Sequence, residues 1–164
     1  MNPSRALRRP EPALLLAVFG LMVACDRSPA APVDPAPAAP PSAAPPGPRI
    51  EDAAFRIELR ATAPLRQGVA GGAEIVIEPR GEYHSNAEYP YKFRPSRSPG
   101  VAYASAQFSG AAVTVTPART TLRVELTPAT KGPATLGGQL SFSVCSDARC
   151  LVEKRELALP VEVE

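Results

Sequence analysis

From Phe55 onward, apolar and polar side chains exchange places at every second position. Phe55, Ile57 and Leu59 alternate with Arg56, Glu58 and Arg60, and Ile75 and Ile77 sit between Glu74 and Glu78. Val113 and Val115 alternate with Thr114 and Thr116, and Leu122, Val124 and Leu126 with Arg123, Glu125 and Thr127. Leu140, Phe142 and Val144 alternate with Ser141 and Ser143, and Leu157, Leu159, Val161 and Val163 close the run. An extended chain turns successive side chains to opposite faces, so this period of two predicts strands with one buried face each. Gly71-Gly72, Pro79 to Gly81, Ser98 to Gly100, Pro128 to Pro133 and Gly137-Gly138 punctuate the runs and are expected to turn the chain. No stretch of it repeats its apolar positions at the helical spacing.

Residues 50–164 are enough for one domain with a usable core and too few for two. Seven to eight short antiparallel strands in that length predict an all-β fold, an immunoglobulin-like antiparallel sandwich with one polar face on each sheet. The chain has no tryptophan, which argues against an antibody-type domain.

The N-terminal third follows a different pattern. Arg5, Arg8 and Arg9 precede an apolar run from Ala13 to Ala24 that stops at Cys25 and is too short to span a bilayer. This is the layout of a secretory signal peptide over residues 1–24, and Met22-Val23-Ala24-Cys25 resembles the lipobox of bacterial lipoproteins. That resemblance implies cleavage before Cys25, a lipid thioether on its sulfur and acylation of the new amino terminus, hence a membrane anchor of several acyl chains. Asp26 follows, and in enteric bacteria it resembles a signal for retention in the inner membrane; inner or outer membrane stays open. Residues 25–49 then form a tether, with nine prolines and seven alanines between Ser28 and Pro48 and a single charge, Asp34. Such a composition buries no core and favours polyproline II, reaching on the order of 65 Å if fully extended. The expected location is the bacterial cell envelope, with the domain in the periplasm.

Loss of residues 1–24 removes Arg5, Arg8, Arg9 and Glu11 and leaves as many basic as acidic side chains. The mature chain has no basic cluster and no glycine-rich phosphate loop, so nucleic acid is not an expected partner.

Two cysteines remain in the domain. Cys145 and Cys150 stand in Ser-Val-Cys-Ser-Asp-Ala-Arg-Cys-Leu-Val, and the alternation puts Cys145 on the face of Ser141 and Ser143, away from Leu140, Phe142 and Val144. If Ser146 to Arg149 form a four-residue hairpin loop, Cys145 stands opposite Cys150, Ser143 opposite Val152 and Ser141 opposite Lys154, within reach of a disulfide. Closing so small a loop contributes roughly 2 kcal/mol by chain-entropy arithmetic, and less where the turn already closes the hairpin. The bond is therefore either a local structural clip or a pair kept for its chemistry. Arg149 would favour a thiolate on Cys150 and Asp147 would oppose one.

The stretch from Gly138 through Cys145, Asp147, Ala148 and Cys150 to Pro160 resembles the N-terminal periplasmic domain of DsbD-type thiol:disulfide interchange proteins. In that family a strand runs into Cys-x-Asp-Ala, a short turn, a second cysteine and a strand ending in an apolar-Pro step. Looser similarity extends back through Pro99-Gly100-Val101 and Gly81-Glu82-Tyr83-His84 to about Gly71. The resemblance implies an immunoglobulin-like sandwich whose two cysteines shuttle electrons between a membrane partner and periplasmic substrates. By position, Cys145 and Cys150 match the redox pair, Asp147 the acid in its turn, and Phe108 the aromatic cap that shields the disulfide until a partner displaces it. The turn here is one residue shorter than in the best-known members, and Leu151-Val152-Glu153 replaces a common Pro-Pro. The cap segment also lacks its usual acids. The sequence carries no transmembrane electron carrier and no thioredoxin-like domain, so the expected reductant is a separate thioredoxin-like or DsbD-like redox protein.

Tyr83, Tyr89, Tyr91 and Phe93 crowd into one segment with the chain's single histidine, His84. They predict either a binding surface near the cysteines or core packing with an exposed tyrosine edge. A base or metal-ligand role for His84 is the rarer reading: Cys-x4-Cys lacks the Cys-x2-Cys metal knuckle, and no metal or other cofactor is expected. Three functions follow, in different classes: a lipid-anchored thiol:disulfide exchange module, a non-catalytic envelope lipoprotein with a structural hairpin disulfide, and a metal carrier.

Overall fold

The alternating runs become the strands of two antiparallel sheets in the computed structural model, which describes residues 46–164. The signal peptide, Cys25 and nearly all of the tether lie outside the described residues. One sheet joins β1 (Arg49–Glu51), β2 (Phe55–Ala61), β3 (Gly71–Pro79), β9 (Arg119–Pro128) and β6 (Val101–Tyr103) in that order, with β8 (Val113–Thr116) also on β9. The other runs β11 (Cys150–Val163), β10 (Gly132–Cys145), β5 (Lys92–Pro95) and β7 (Phe108–Ser109), with β4 (His84–Ser85) also on β10. The apolar positions of both sheets meet in one core, giving an immunoglobulin-like β-sandwich.

Every run with a clear period of two lies within β2, β3, β8, β9, β10 or β11. The short strands β1, β4, β5, β6 and β7 were not legible from alternation, because two to four residues hold too few repeats to show it. Helical structure among the described residues is limited to one 3-10 turn, Gly110–Ala112.

Phe55, Ile57 and Leu59 of β2 and Ile75 and Ile77 of β3 face Leu140, Phe142 and Val144 of β10 across this core. Phe55 meets Phe142 edge to face at 4.9 Å between ring centroids, an arrangement that aligns the positive edge of one ring with the negative face of the other. On the opposite side of the first sheet, Arg60 pairs with Glu74 at 2.7 Å and Arg49 with Glu58 at 2.8 Å across neighbouring strands. Such exposed pairs mark a solvated face and add little stability.

Two expected turns are strand instead. Gly71-Gly72 opens β3 and pairs with Leu126 and Glu125 of β9, and Gly137-Gly138 lies inside β10. The reason is close approach. A Cβ on Gly138 would lie 2.2 Å from the Arg94 carbonyl oxygen, and one on Gly137 would lie 2.4 Å from that of Leu157. Only glycine lets β5 and β11 draw this near to β10.

Candidate functional site: the disulfide at the hairpin tip

Strands β10 and β11 form a hairpin paired without a break from Gly132 opposite Val163 to Cys145 opposite Cys150. Ser143 faces Val152 and Ser141 faces Lys154, the register that a four-residue loop requires. The loop closes on its own chemistry. Ser146 N–H donates to the Arg149 carbonyl at 2.8 Å, and the Ser146 hydroxyl accepts from Ala148 N–H at 3.3 Å. A serine bonding the backbone two residues on reinforces the turn, leaving Asp147 and Ala148 exposed at its apex.

Cys145 and Cys150 are joined, with their Cα atoms 4.0 Å apart. The two sulfurs differ in access. Cys145 is 6% exposed, whereas Cys150, on the edge strand, is open to solvent. Cys145 is missing from the core cluster that holds its neighbour Val144, because the alternation turns it to the outer face with Ser143, whose hydroxyl oxygen lies 3.9 Å from the Cys145 sulfur. Next to the pair, Val152 is 62% exposed, one of the two large apolar side chains that the described surface leaves open.

The segment carrying β4 covers the far side of Cys145. His84 pairs directly with Cys145 and Ser85 with Val144. Directly opposed residues of antiparallel strands project to the same face with Cβ atoms about 4.5–5.5 Å apart. Cys150, Cys145 and His84 therefore stand abreast across three strands, and the histidine is exposed. The crowded aromatics of this segment allow a surface near the cysteines, but no spacing specifies that residue 84 faces residue 145. Ser85 turns inward, where its hydroxyl accepts from Thr120 at 3.0 Å and anchors β4 on the other sheet.

Arg149 is occupied elsewhere. Its guanidinium donates to the Tyr83 hydroxyl oxygen at 3.2 and 3.4 Å, and this bond, with lesser help from the nearby Glu82 carboxylate, favours the charged guanidinium. The hairpin apex is thereby latched to the residue before β4.

Phe108 is not brought near the pair. It is 6% exposed in the core, opposite Phe93 of β5, which is itself opposite Leu140. The level of Leu140 lies five residues from Cys145 along β10, on the order of 16 Å. A side chain turned into the core also cannot cover sulfurs on the outer face, so the capping role expected of Phe108 has no geometry here. Of the crowded aromatics, Tyr91 and Phe93 are core, and Tyr91 donates its hydroxyl to the Ser143 carbonyl at 2.9 Å. Tyr83 and Tyr89 are partly buried at the rim, so this segment serves chiefly as packing with a tyrosine edge. Among the described residues no group of three or more His, Cys, Asp and Glu side chains is placed to hold a metal ion, and no helix is long and apolar enough to cross a membrane.

No family model matches the chain, and no curated protein matches it. Among solved structures, it is similar to AggA, the major subunit of aggregative adherence fimbriae type I from Escherichia coli. The identity is 9%, over 67% of this chain and 95% of that one, with a TM-score of 0.35. It is also similar to the ASH/PapD-like domain of human CEP192 at 8% identity, over 71% and 92% of the two chains, with a TM-score of 0.31. Likenesses this distant carry no functional argument, and the fold assignment rests on the two sheets themselves.

Proposed function

We propose that this domain is a thiol:disulfide exchange module, held at the bacterial envelope membrane by lipid on Cys25 and acting through Cys145 and Cys150 with a separate dithiol protein. The observation that carries the reading is the placement of the bond. It lies at the tip of a hairpin already closed by its turn and by continuous pairing, where it adds little to stability, and one of its sulfurs faces solvent. Exchange begins when a thiolate attacks a disulfide sulfur, so access decides which one reacts. Cys150 is the point of attack and Cys145 the leaving sulfur. Val152 supplies an apolar contact beside the reacting bond for the partner to cover. The DsbD-type resemblance of the hairpin sequence supports the same reading, with direction of electron flow left to the partner.

The competing reading is a non-catalytic envelope lipoprotein with the disulfide as a clip. Equilibrating the full-length protein in detergent with dithiothreitol buffers separates the two. A reduction potential near about −200 mV, in the range of exchange proteins, is the expected result. A value below about −300 mV would mark a structural bond and overturn the proposal. In an exchange module a Cys145→Ala variant, with Cys150 free, retains the partner as a mixed disulfide, whereas Cys150→Ala does not.

A further inference from the structure

The register of β4 against β10 adds a third group to the pair. We infer that His84 assists the exchange by stabilising and then protonating the thiolate that Cys145 becomes when the disulfide opens. This rests on the exchange reading above and names a residue that neither the turn chemistry nor the cysteine motif supplies.

The two cysteines differ in access: Cys150 is exposed and Cys145 is buried. A partner thiolate attacks the exposed Cys150 sulfur, a new S–S bond forms between them, and the Cys145–Cys150 bond breaks with its electron pair leaving on Cys145. That charge appears on a residue that is only 6% exposed. Burial penalises a thiolate, and a poor leaving thiolate slows the step. A cation on the same face at cross-strand distance removes that penalty, and an imidazole can also deliver a proton near neutral pH. The partner's second thiol then displaces Cys150, which leaves as a thiol. The domain has gained two electrons and two protons, the partner dithiol is oxidised to a disulfide, and solvent restores the proton to His84.

The neighbouring groups leave proton delivery near neutral pH to His84. Glu82 and Glu88 lie on its own segment, and Asp147 is at the exposed apex of the turn. Arg149 is held by the Tyr83 hydroxyl, and on β9 Arg119 is paired with Glu78 of β3 at 3.1 Å. On β11 Glu153 is paired with Arg155 at 3.0 Å, and Lys154 and Lys92 stand beside Ser141, four residues along β10 from Cys145. His84 is the basic side chain in direct register with a sulfur.

The test is the rate at which excess dithiothreitol opens the bond in the full-length protein, from pH 5 to pH 9, for wild type, His84→Ala and His84→Lys. Alongside it, the thiolate absorbance of Cys145 is titrated in a Cys150→Ser background with each of the same side chains at position 84. His84 is exposed, so these variants are expected to fold. In His84→Ala the bond opens about three- to tenfold more slowly at neutral pH, and the Cys145 thiolate forms at higher pH. His84→Lys, a cation across the whole range, restores the early thiolate, which a merely structural histidine would not predict. Equal opening rates at every pH, with an unmoved Cys145 titration, would overturn the role of His84 and leave the exchange reading standing. A wild-type bond that the dithiol fails to open would overturn both.

Discussion

The two ends of the β10–β11 hairpin are built by different means. At the base half, Leu136 and Leu157 are buried, Gly137 and Gly138 admit neighbouring backbones, and Gly137 N–H donates to the Tyr103 hydroxyl at 3.2 Å. Noncovalent packing does all of this, and a misfit there has nowhere to go. At the tip, a turn that closes itself, a Tyr83–Arg149 latch and a two-residue strand hold the chain, and the covalent bond is added on top. The strongest bond therefore sits where the fold needs it least. On the exchange reading proposed above, a bond that adds little to the fold can be opened and remade without unfolding the domain.

The most damaging way to probe this contrast is Gly138→Ala. The new methyl meets the Arg94 carbonyl and Pro95 Cα of β5, backbone atoms that cannot rotate away. Urea unfolding is expected to show a loss of about 3 kcal/mol or more. Replacing both Cys145 and Cys150 with serine acts at the tip and is expected to cost about 2 kcal/mol at most. A double serine variant less stable than Gly138→Ala would reverse the comparison and return the bond to a structural role.

The smallest effect expected is one of pH. Burial raises the Tyr103 hydroxyl above its ordinary value of 10.0, against a weaker opposing pull from the Gly137 N–H that it accepts. A raised acid holds its proton more tightly folded than unfolded. Its contribution is complete below pH 10 and is lost as pH rises through the folded value. Thermal melts are thus expected to fall more steeply above pH 10 in wild type than in Tyr103→Phe, while the rate of disulfide reduction differs little between them at neutral pH. An identical alkaline limb in the two would remove Tyr103 from the account of the base.

Much of this was legible in the chain. Leu140, Phe142 and Val144 against Ser141 and Ser143 gave both the strand and the face of Cys145, because one residue of slip would have turned Ser141, Ser143 and Cys145 to the core in place of three apolar side chains. The loop length then gave the Cys145–Cys150 register. Gly137-Gly138 misled, since a glycine pair looks the same whether it turns the chain or lets another backbone approach. Phe108 misled for a related reason: its position in the sequence matched a cap, but its neighbours Phe93 and Leu140 are supplied by distant segments.

The amino-acid order by itself determined the long alternating strands, the sidedness of the hairpin and the facing of its cysteines, because alternation and turn closure are local and act within a few residues. The tertiary structure decided the rest: which strands neighbour one another, why Gly137 and Gly138 stand inside a strand, that Phe108 belongs to the core, and that His84 stands beside Cys145. Those outcomes depend on contacts between segments far apart in the chain, where close packing selects one arrangement and no short-range spacing records it.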